Sequence, residues 1–215
     1  MAATRRKRSH GEESRQRILD AAAAIAGERG YEGTSIALVS QRCGLPASSI
    51  YWHFEDKDHL IAAVIERSFH RWLEGMRAWS PPRPAASPEE RFTTAIRRTA
   101  KALTDAPDFL RLGLMLALER RPEEATARRM FLQVREQAYK QIVASYEAFF
   151  GGDVDAKGIR SLATLTMAAA DGLFVAHEVD EHVDLAESFE LLAAAILGAA
   201  AKLGAGRPRS RRETR

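Results

Sequence analysis

"GLPASSIYWHF", residues 44–54, opens on a glycine and closes on four rings in a row, Tyr51, Trp52, His53 and Phe54. One face of a helix takes every third or fourth residue. A core can therefore use Ile50 and Phe54, four apart, and must leave the rings between them elsewhere. Gly44 breaks a short helix expected over residues 35–43, whose inner face is Ile36 and Val39. Pro46 opens a second one, at the first-turn position where proline is tolerated, and that helix ends by His53. Helices of about two turns are marginal alone. They persist only if packed on a third, and residues 12–29 supply one, with Ile18, Ala22 and Ile25 at helical spacing.

Three helices with a tight turn between the second and third form a helix-turn-helix. In that geometry the second short helix lies in the DNA major groove with its N-terminal part toward the bases. Tyr51 and His53 then flank the groove, and their O–H and N–H groups suit phosphate oxygens, which set register without reading sequence. Trp52 points away from the core, along the sugar-phosphate wall. Ser48 and Ser49 reach base edges or phosphates. Lys57 stands at a helix start, where its charge and the helix N–H groups both attract phosphate. The plainer alternative is a hydrophobic corner joining two helices. The Gly44 break, the basic N-terminus and Lys57 weigh against it together.

Outward from this stretch, helix signals follow one another and strand signals do not. Ser9-x-x-Glu12 is a possible capping box for the first helix. Asp56 can cap a helix over 57–79, whose stripe is Leu60, Ile61, Val64, Ile65, Phe69, Trp72, Met76 and Trp79. "SPPRPAASP", residues 80–88, is a proline-rich boundary. Ser87-Pro88-Glu89-Glu90 then combines a cap, a first-turn proline and a capping glutamate. Further helices are expected over 88–104, 108–120, 122–150, 155–178 and from Asp184 to 203. Segment 108–120 is apolar nearly all round and is expected to sit centrally. The count is about nine helices, an all-α chain.

The chain has 215 residues, 46% of them apolar, and a net charge of +3. Residues 1–10 carry +4 and so do residues 207–215, which leaves −5 for the segment between. This reads as a slightly acidic globule with a basic disordered arm at 1–11 and a basic disordered tail at 205–215. No uncharged apolar run of membrane-spanning length appears, so neither a membrane partner nor a signal peptide is expected. The single cysteine, Cys43, suits a reducing cytoplasm.

Residues 30–64, "GYEGTSIALVSQRCGLPASSIYWHFEDKDHLIAAV", resemble the DNA-binding domain of the tetracycline-repressor (TetR) family of bacterial regulators. The resemblance covers about residues 12–65. It implies a DNA-binding domain at 12–56 and a helical ligand-binding and dimerisation domain at 57–204. It implies operator contacts from Arg5, Arg6, Arg8, Ser35, Ala47, Ser48, Ser49, Tyr51, Trp52, His53 and Lys57. It also implies a homodimer on a palindromic double-stranded operator, and repression relieved by a small-molecule effector. Ala37 and Leu38 depart from the polar residues common in the family, and Ala47 is bare. Base readout by side chains is therefore thin, and the arm and DNA shape gain weight.

Small residues crowd the last two helices, from Ala163 to Gly172 and from Ala193 to Ala201. A compact intramolecular bundle would use them, and so would a dimer seam through Leu162, Thr166, Ala169, Ala170, Leu173, Leu192, Ile196 and Leu203. Two-fold symmetry favours the seam, because it doubles the DNA contact. Trp72, Met76, Trp79, Phe109, Met115, Phe131, Tyr139, Phe174 and His177 could line a cavity or be plain core; a cavity so lined suits an apolar or aromatic ligand. In "HEVDEH", His177 and His182 are five apart and do not share a helix face, so a polar loop is favoured over a metal site. No cofactor motif, carboxylate pair or nucleophile–base set appears at usable spacing, which argues against an all-helical enzyme. A DNA-binding regulator without an effector stays open.

Overall fold

The computed structural model describes residues 2–77, 87–118 and 125–205, without the side chains of residues 2–10, 76 and 77. Trp79 and the tail from residue 206 lie outside the described residues. Among those described there are nine helices and no strand: α1 Ala2–Arg29, α2 Ile36–Cys43, α3 Ala47–His53, α4 Lys57–Arg77, α5 Pro88–Asp105, α6 Asp108–Leu118, α7 Thr126–Phe150, α8 Ala156–Val179 and α9 Leu185–Ala205. The all-α expectation holds, with ends within a few residues of those read from periodicity.

Two expectations at the N-terminus change. The helix does not begin at a Ser9 cap; its backbone runs back to Ala2 through the arm expected to be disordered. Residues 2–10 contain no proline or glycine, and Gly11 alone costs a helix only about 1 kcal/mol. Pro46 is the residue before α3 rather than inside its first turn: its backbone is extended, with ψ 151°.

The chain forms two compact units, neither continuous in sequence. The first comprises Met1–Glu74 and Ala106–Val134, the second Gly75–Asp105 and Arg135–Arg215. The boundary expected after residue 56 is therefore not a structural one. Leu60, Ile61, Val64, Ile65 and Phe69 of α4 are buried, which keeps the helix with α1 and α6.

In the first unit the core is Ile18, Leu19 and Ala22 of α1 with Val39, Ile50 and the α4 stripe. Phe69, Trp72 and Phe109 form an aromatic cluster with ring centroids 5.5–5.6 Å apart. Asp58, in the first turn of α4, gathers three donors: the Tyr31 hydroxyl at 3.1 Å, the Ala127 N–H at 3.2 Å and the Thr126 N–H. It thereby satisfies two orphan N–H groups at the start of α7. Helix α6 is not central on all sides. Phe109, Leu112 and Leu116 are buried, whereas Met115 is 48% and Leu118 84% exposed.

In the second unit α9 packs on α5 and on α8. Ser87 and Glu90 form the expected reciprocal box, at 2.7 and 3.1 Å. Asp155 caps α8 and Asp184 caps α9. Phe92, Tyr146, Phe149 and Phe150 cluster at 4.8–5.7 Å. The Tyr146 hydroxyl meets Thr166 Oγ1 at 2.7 Å, and burial pushes its pKa up to about 12. Arg135 and Asp171 make a two-pronged pair at 2.7 and 2.9 Å. By length and composition alone α8 and α9 are each apolar enough to cross a membrane, with mean hydropathies of 1.3 and 1.4.

Close approach requires a glycine at position 113. A Cβ on Gly113 of α6 would overlap the ring of Phe131, which is fully buried. Gly113→Ala should lower the unfolding free energy by about 1–3 kcal/mol, the usual range for overpacking. Urea unfolding measures it, and a variant as stable as the parent would contradict this packing.

Candidate nucleic-acid interface

The turn between α2 and α3 is held by local chemistry and by one long-range bond. Ser35 caps α2, its hydroxyl accepting from the Leu38 N–H at 3.3 Å. Gly44 closes the helix with φ 66°, the left-handed region that favours glycine, and returns its N–H to Ser40 at 3.0 Å. Ser40 donates its hydroxyl to the Leu45 carbonyl at 2.6 Å. Arg17 of α1 donates to the Cys43 carbonyl at 2.7 Å. That carbonyl is one of the acceptors a helix end leaves unpaired, so α1 is tied to the turn itself.

Helix α3 is anchored inward by Ile50 and Phe54, 0% and 5% exposed. Its other side chains are thereby turned out, with Tyr51 56% and Trp52 76% exposed. Ala47 and Ser48 are exposed and Ser49 is half-buried. Gly11, Glu13, Ser14 and Arg17 of α1 face Leu45, Ser48, Ser49, Trp52 and His53 across an open groove of 590 Å³. The expected contact residues Ser48, Ser49, Trp52 and His53 are thus brought together. Arg17 and Ser14 are polar groove residues that the sequence reading missed. Their signal was faint, since both sit on a helix read for its apolar stripe alone.

His53 is half-buried, edge-on to the Trp52 ring at 4.5 Å. Burial, and then the Arg15 guanidinium, push its pKa below the usual histidine value, with Glu12 opposing. Arg15 itself lies over the Phe54 ring at 5.5 Å. Lys57 is placed otherwise than expected. Its ammonium donates to the Tyr31 carbonyl at 3.2 Å, sits 4.2 Å from the Tyr31 ring centroid and lies 3.6 Å from Glu32. The carbonyl and ring after α1 outcompete water for that charge, so it is engaged within the chain. Ser35 is exposed but spends its oxygen as a cap. The side chains of Arg5, Arg6 and Arg8 lie outside the described residues.

The profile of the bacterial regulatory proteins, tetR family, matches residues 18–64. That match covers about a fifth of the chain, from α1 through α2 and α3 into α4. Over 95 residues it is 32% identical to the HTH-type transcriptional repressor KstR of Rhodococcus jostii, covering 44% of this chain and 43% of KstR. The match thus spans less than half the length of that relative. Two solved structures share the fold. The fatty acid degradation regulator FadR of Bacillus halodurans has a TM-score of 0.67 at 16% identity, over 85% of this chain and 94% of that one. FadR of Bacillus subtilis, in complex with stearoyl-CoA, has 0.65 at 15%, over 86% and 98%. These relatives are regulators, not enzymes.

The residues expected in a ligand cavity divide between core and surface. Trp72, Phe109, Phe131 and Phe174 are buried, and Met115 is exposed, its methyl group lying against Gly30. Tyr139 reaches the Arg160 carbonyl at 3.5 Å. His177 is bonded at 2.7 Å to the Val183 carbonyl and so holds the α8–α9 turn. The side chain of Met76 and all of Trp79 fall outside the described residues. Among the described residues the buried Trp72 indole N–H has no hydrogen-bond partner. Among the described residues no histidine, cysteine and carboxylate cluster of metal-site size occurs.

The residues expected in a dimer seam divide between the buried and the exposed faces of α8 and α9. Leu162, Thr166, Leu192 and Ile196 are buried in the chain's own core, and Thr166 is bonded to Tyr146. Ala169, Ala170 and Leu173 are half-buried, and Leu203 is 43% exposed. The outer face carries Leu165, Ala168, Gly172 and Val175 on α8, and Leu191, Ala194, Ala195 and Gly198 on α9. Both faces of each helix are apolar, so periodicity could not tell inner from outer.

The His53 environment has a pH consequence. With its folded pKa depressed, the folded state resists protonation while the unfolded state takes up a proton below about pH 6.5. His53 therefore costs stability as the pH falls through that value and nothing well above it. The melting temperature of His53→Gln should drop less than the parent's between about pH 7.5 and about pH 5.5. Equal drops would contradict the assigned burial.

Proposed function

We propose that the protein is a dimeric, cytoplasmic regulator of transcription, acting as a repressor that binds a palindromic operator and is released by a small apolar ligand. The observation that carries the reading is α3: a helix of seven residues with its two apolar anchors buried and its polar and aromatic face presented beside α1. The match of residues 18–64 to the tetR family supports the same reading. Phosphate contacts dominate such binding, so affinity should fall with salt at a log–log slope of roughly −0.9 per phosphate neutralised. Duplex fragments from the chain's own promoter region, titrated across a salt series, test it; absence of binding at every salt concentration refutes it.

The outer face of α8 and α9 supports self-association. Leu191 is 74% exposed and Leu165 and Val175 are each 47% exposed, while Gly172 and Gly198 have open space where a Cβ would point. Small residues of this kind let a second pair of helices approach closely. A membrane is the other apolar partner these helices suit by composition. Against it stand the inner faces, on which Phe174, Phe189 and Ile196 already serve a packed core. Leu191→Glu leaves that core intact. It should convert the dimer to monomer in light scattering and weaken operator binding at least tenfold, whereas an unchanged mass would remove the seam from α9.

The Trp72 N–H, which has no partner among the described residues, supports the effector. A ligand acceptor placed beside the Phe69–Trp72–Phe109 cluster would satisfy it, and the surrounding rings favour an apolar body. Release requires tighter binding to the conformation that does not hold DNA; a tenfold loss of affinity takes about 1.4 kcal/mol of coupling. Titrating fatty acyl compounds while following tryptophan emission and operator binding together tests this. Emission that shifts while DNA affinity stays constant would favour a regulator without an effector.

A further inference from the structure

We propose that α3 reads its operator through the C5-methyl groups of thymine, with the Trp52 indole as the specificity-determining side chain and the Ala47 methyl, at the start of the helix, as a second and separate contact. This rests on the DNA-binding reading above and adds what is read.

The argument begins with what α3 lacks. Its seven side chains are Ala47, Ser48, Ser49, Ile50, Tyr51, Trp52 and His53. None is an arginine, lysine, asparagine, glutamine or carboxylate, so the two-pronged pairings that select guanine or adenine are not available from this helix. The serine and tyrosine hydroxyls donate or accept with equal ease and discriminate little between base edges. What remains is apolar contact. In the major groove only one base carries an apolar group, the methyl of thymine.

Position and order then select Trp52. Ser48 and Trp52 stand one turn apart, and Ile50, two residues from each, points to the core. The two therefore share the face directed away from the protein. Trp52 is 76% exposed against 56% for Tyr51, and its ring has neighbours on two sides. One edge faces Gly11 of α1, where a Cβ, were there one, would stand 3.7 Å from Cζ3 and 3.8 Å from Cη2. The other side meets the His53 ring at 4.5 Å. An exposed apolar surface held in place is what a methyl contact requires, because little further ordering is needed on binding. Ser48, Ser49, Trp52 and His53 of α3 all line the open groove beside α1, and of these four Trp52 alone offers an exposed apolar surface.

The full-length chain and a duplex enriched by it from a randomised pool provide the test. Each thymine is replaced singly, in both half-sites, by deoxyuridine, which removes the methyl and nothing else. At one or two positions the substitution should weaken binding about fourfold per methyl, the factor expected for burial of one such group. Trp52→Ala, which removes no buried side chain, should bind the thymine and deoxyuridine duplexes equally at the position it reads. A cytosine placed there should bind about fourfold more tightly when it is 5-methylated, since the added methyl occupies the same place in the groove. Circular dichroism confirms that the variant is folded. Equal binding of thymine and fully deoxyuridine-substituted duplexes overturns the inference while leaving DNA binding intact. A methyl effect that persists unchanged in both Trp52→Ala and Ala47→Gly overturns the assignment to α3. Enrichment of no duplex at all overturns the DNA-binding reading itself, and the inference with it.

Discussion

Arg17 donating to the Cys43 carbonyl, at 2.7 Å, ties α1 to the end of α2 at the point where the chain must reverse. Neither α2 nor α3 is long enough to be stable by itself. Each is held by what lies at its ends and beneath it: the Ser35 cap, the left-handed Gly44, the Ser40 bond to Leu45, and the buried Ile50 and Phe54. With those anchors in place the direction of every other α3 side chain follows from helical geometry. The outward display of Ser48, Tyr51 and Trp52 is thus a by-product of how the inward face is fastened.

The same first unit shows how polar groups do structural work beneath that display. Asp58 takes the Tyr31 hydroxyl and the first N–H groups of α7, which joins the end of α1, the start of α4 and the start of α7 through one carboxylate. Lys57, its neighbour, is spent on the Tyr31 carbonyl and ring. Arg67 of α4 reaches Gln16 at 3.1 Å and Asp20 at 2.8 Å on α1. Charges that a linear reading assigns to DNA or solvent therefore include several that fasten helices to one another. Hydrogen bonds to charged groups are the stronger ones, and removing one partner leaves the other's desolvation uncompensated.

In the second unit the informative contrast lies across single helices. On α8 the inner residues Ile159, Leu162, Thr166 and Phe174 are buried, and the outer residues Leu165, Ala168, Gly172 and Val175 are bare or apolar without being covered by the chain. A helix that is apolar on both faces asks for partners on both sides. Among the described residues only one side is covered.

The sequence by itself determined the class of fold, the nine helices found among the described residues and most of their ends. Caps, glycines and prolines act over three or four residues, and such local signals survive in a linear reading. It also determined that Ile50 and Phe54 point inward and the rings between them outward, because that is a matter of helical period alone. Only the tertiary structure decided that Arg17 clasps the turn, that Lys57 is engaged by Tyr31, and that Met115 lies on the surface while Phe131 fills the space over Gly113. Those outcomes depend on which residues distant in sequence come within a few ångströms. The inner and outer faces of α8 and α9 were separated in the same way: where both stripes are apolar, the period is blind, and the packing of α5 and α7 residues against one stripe makes the choice.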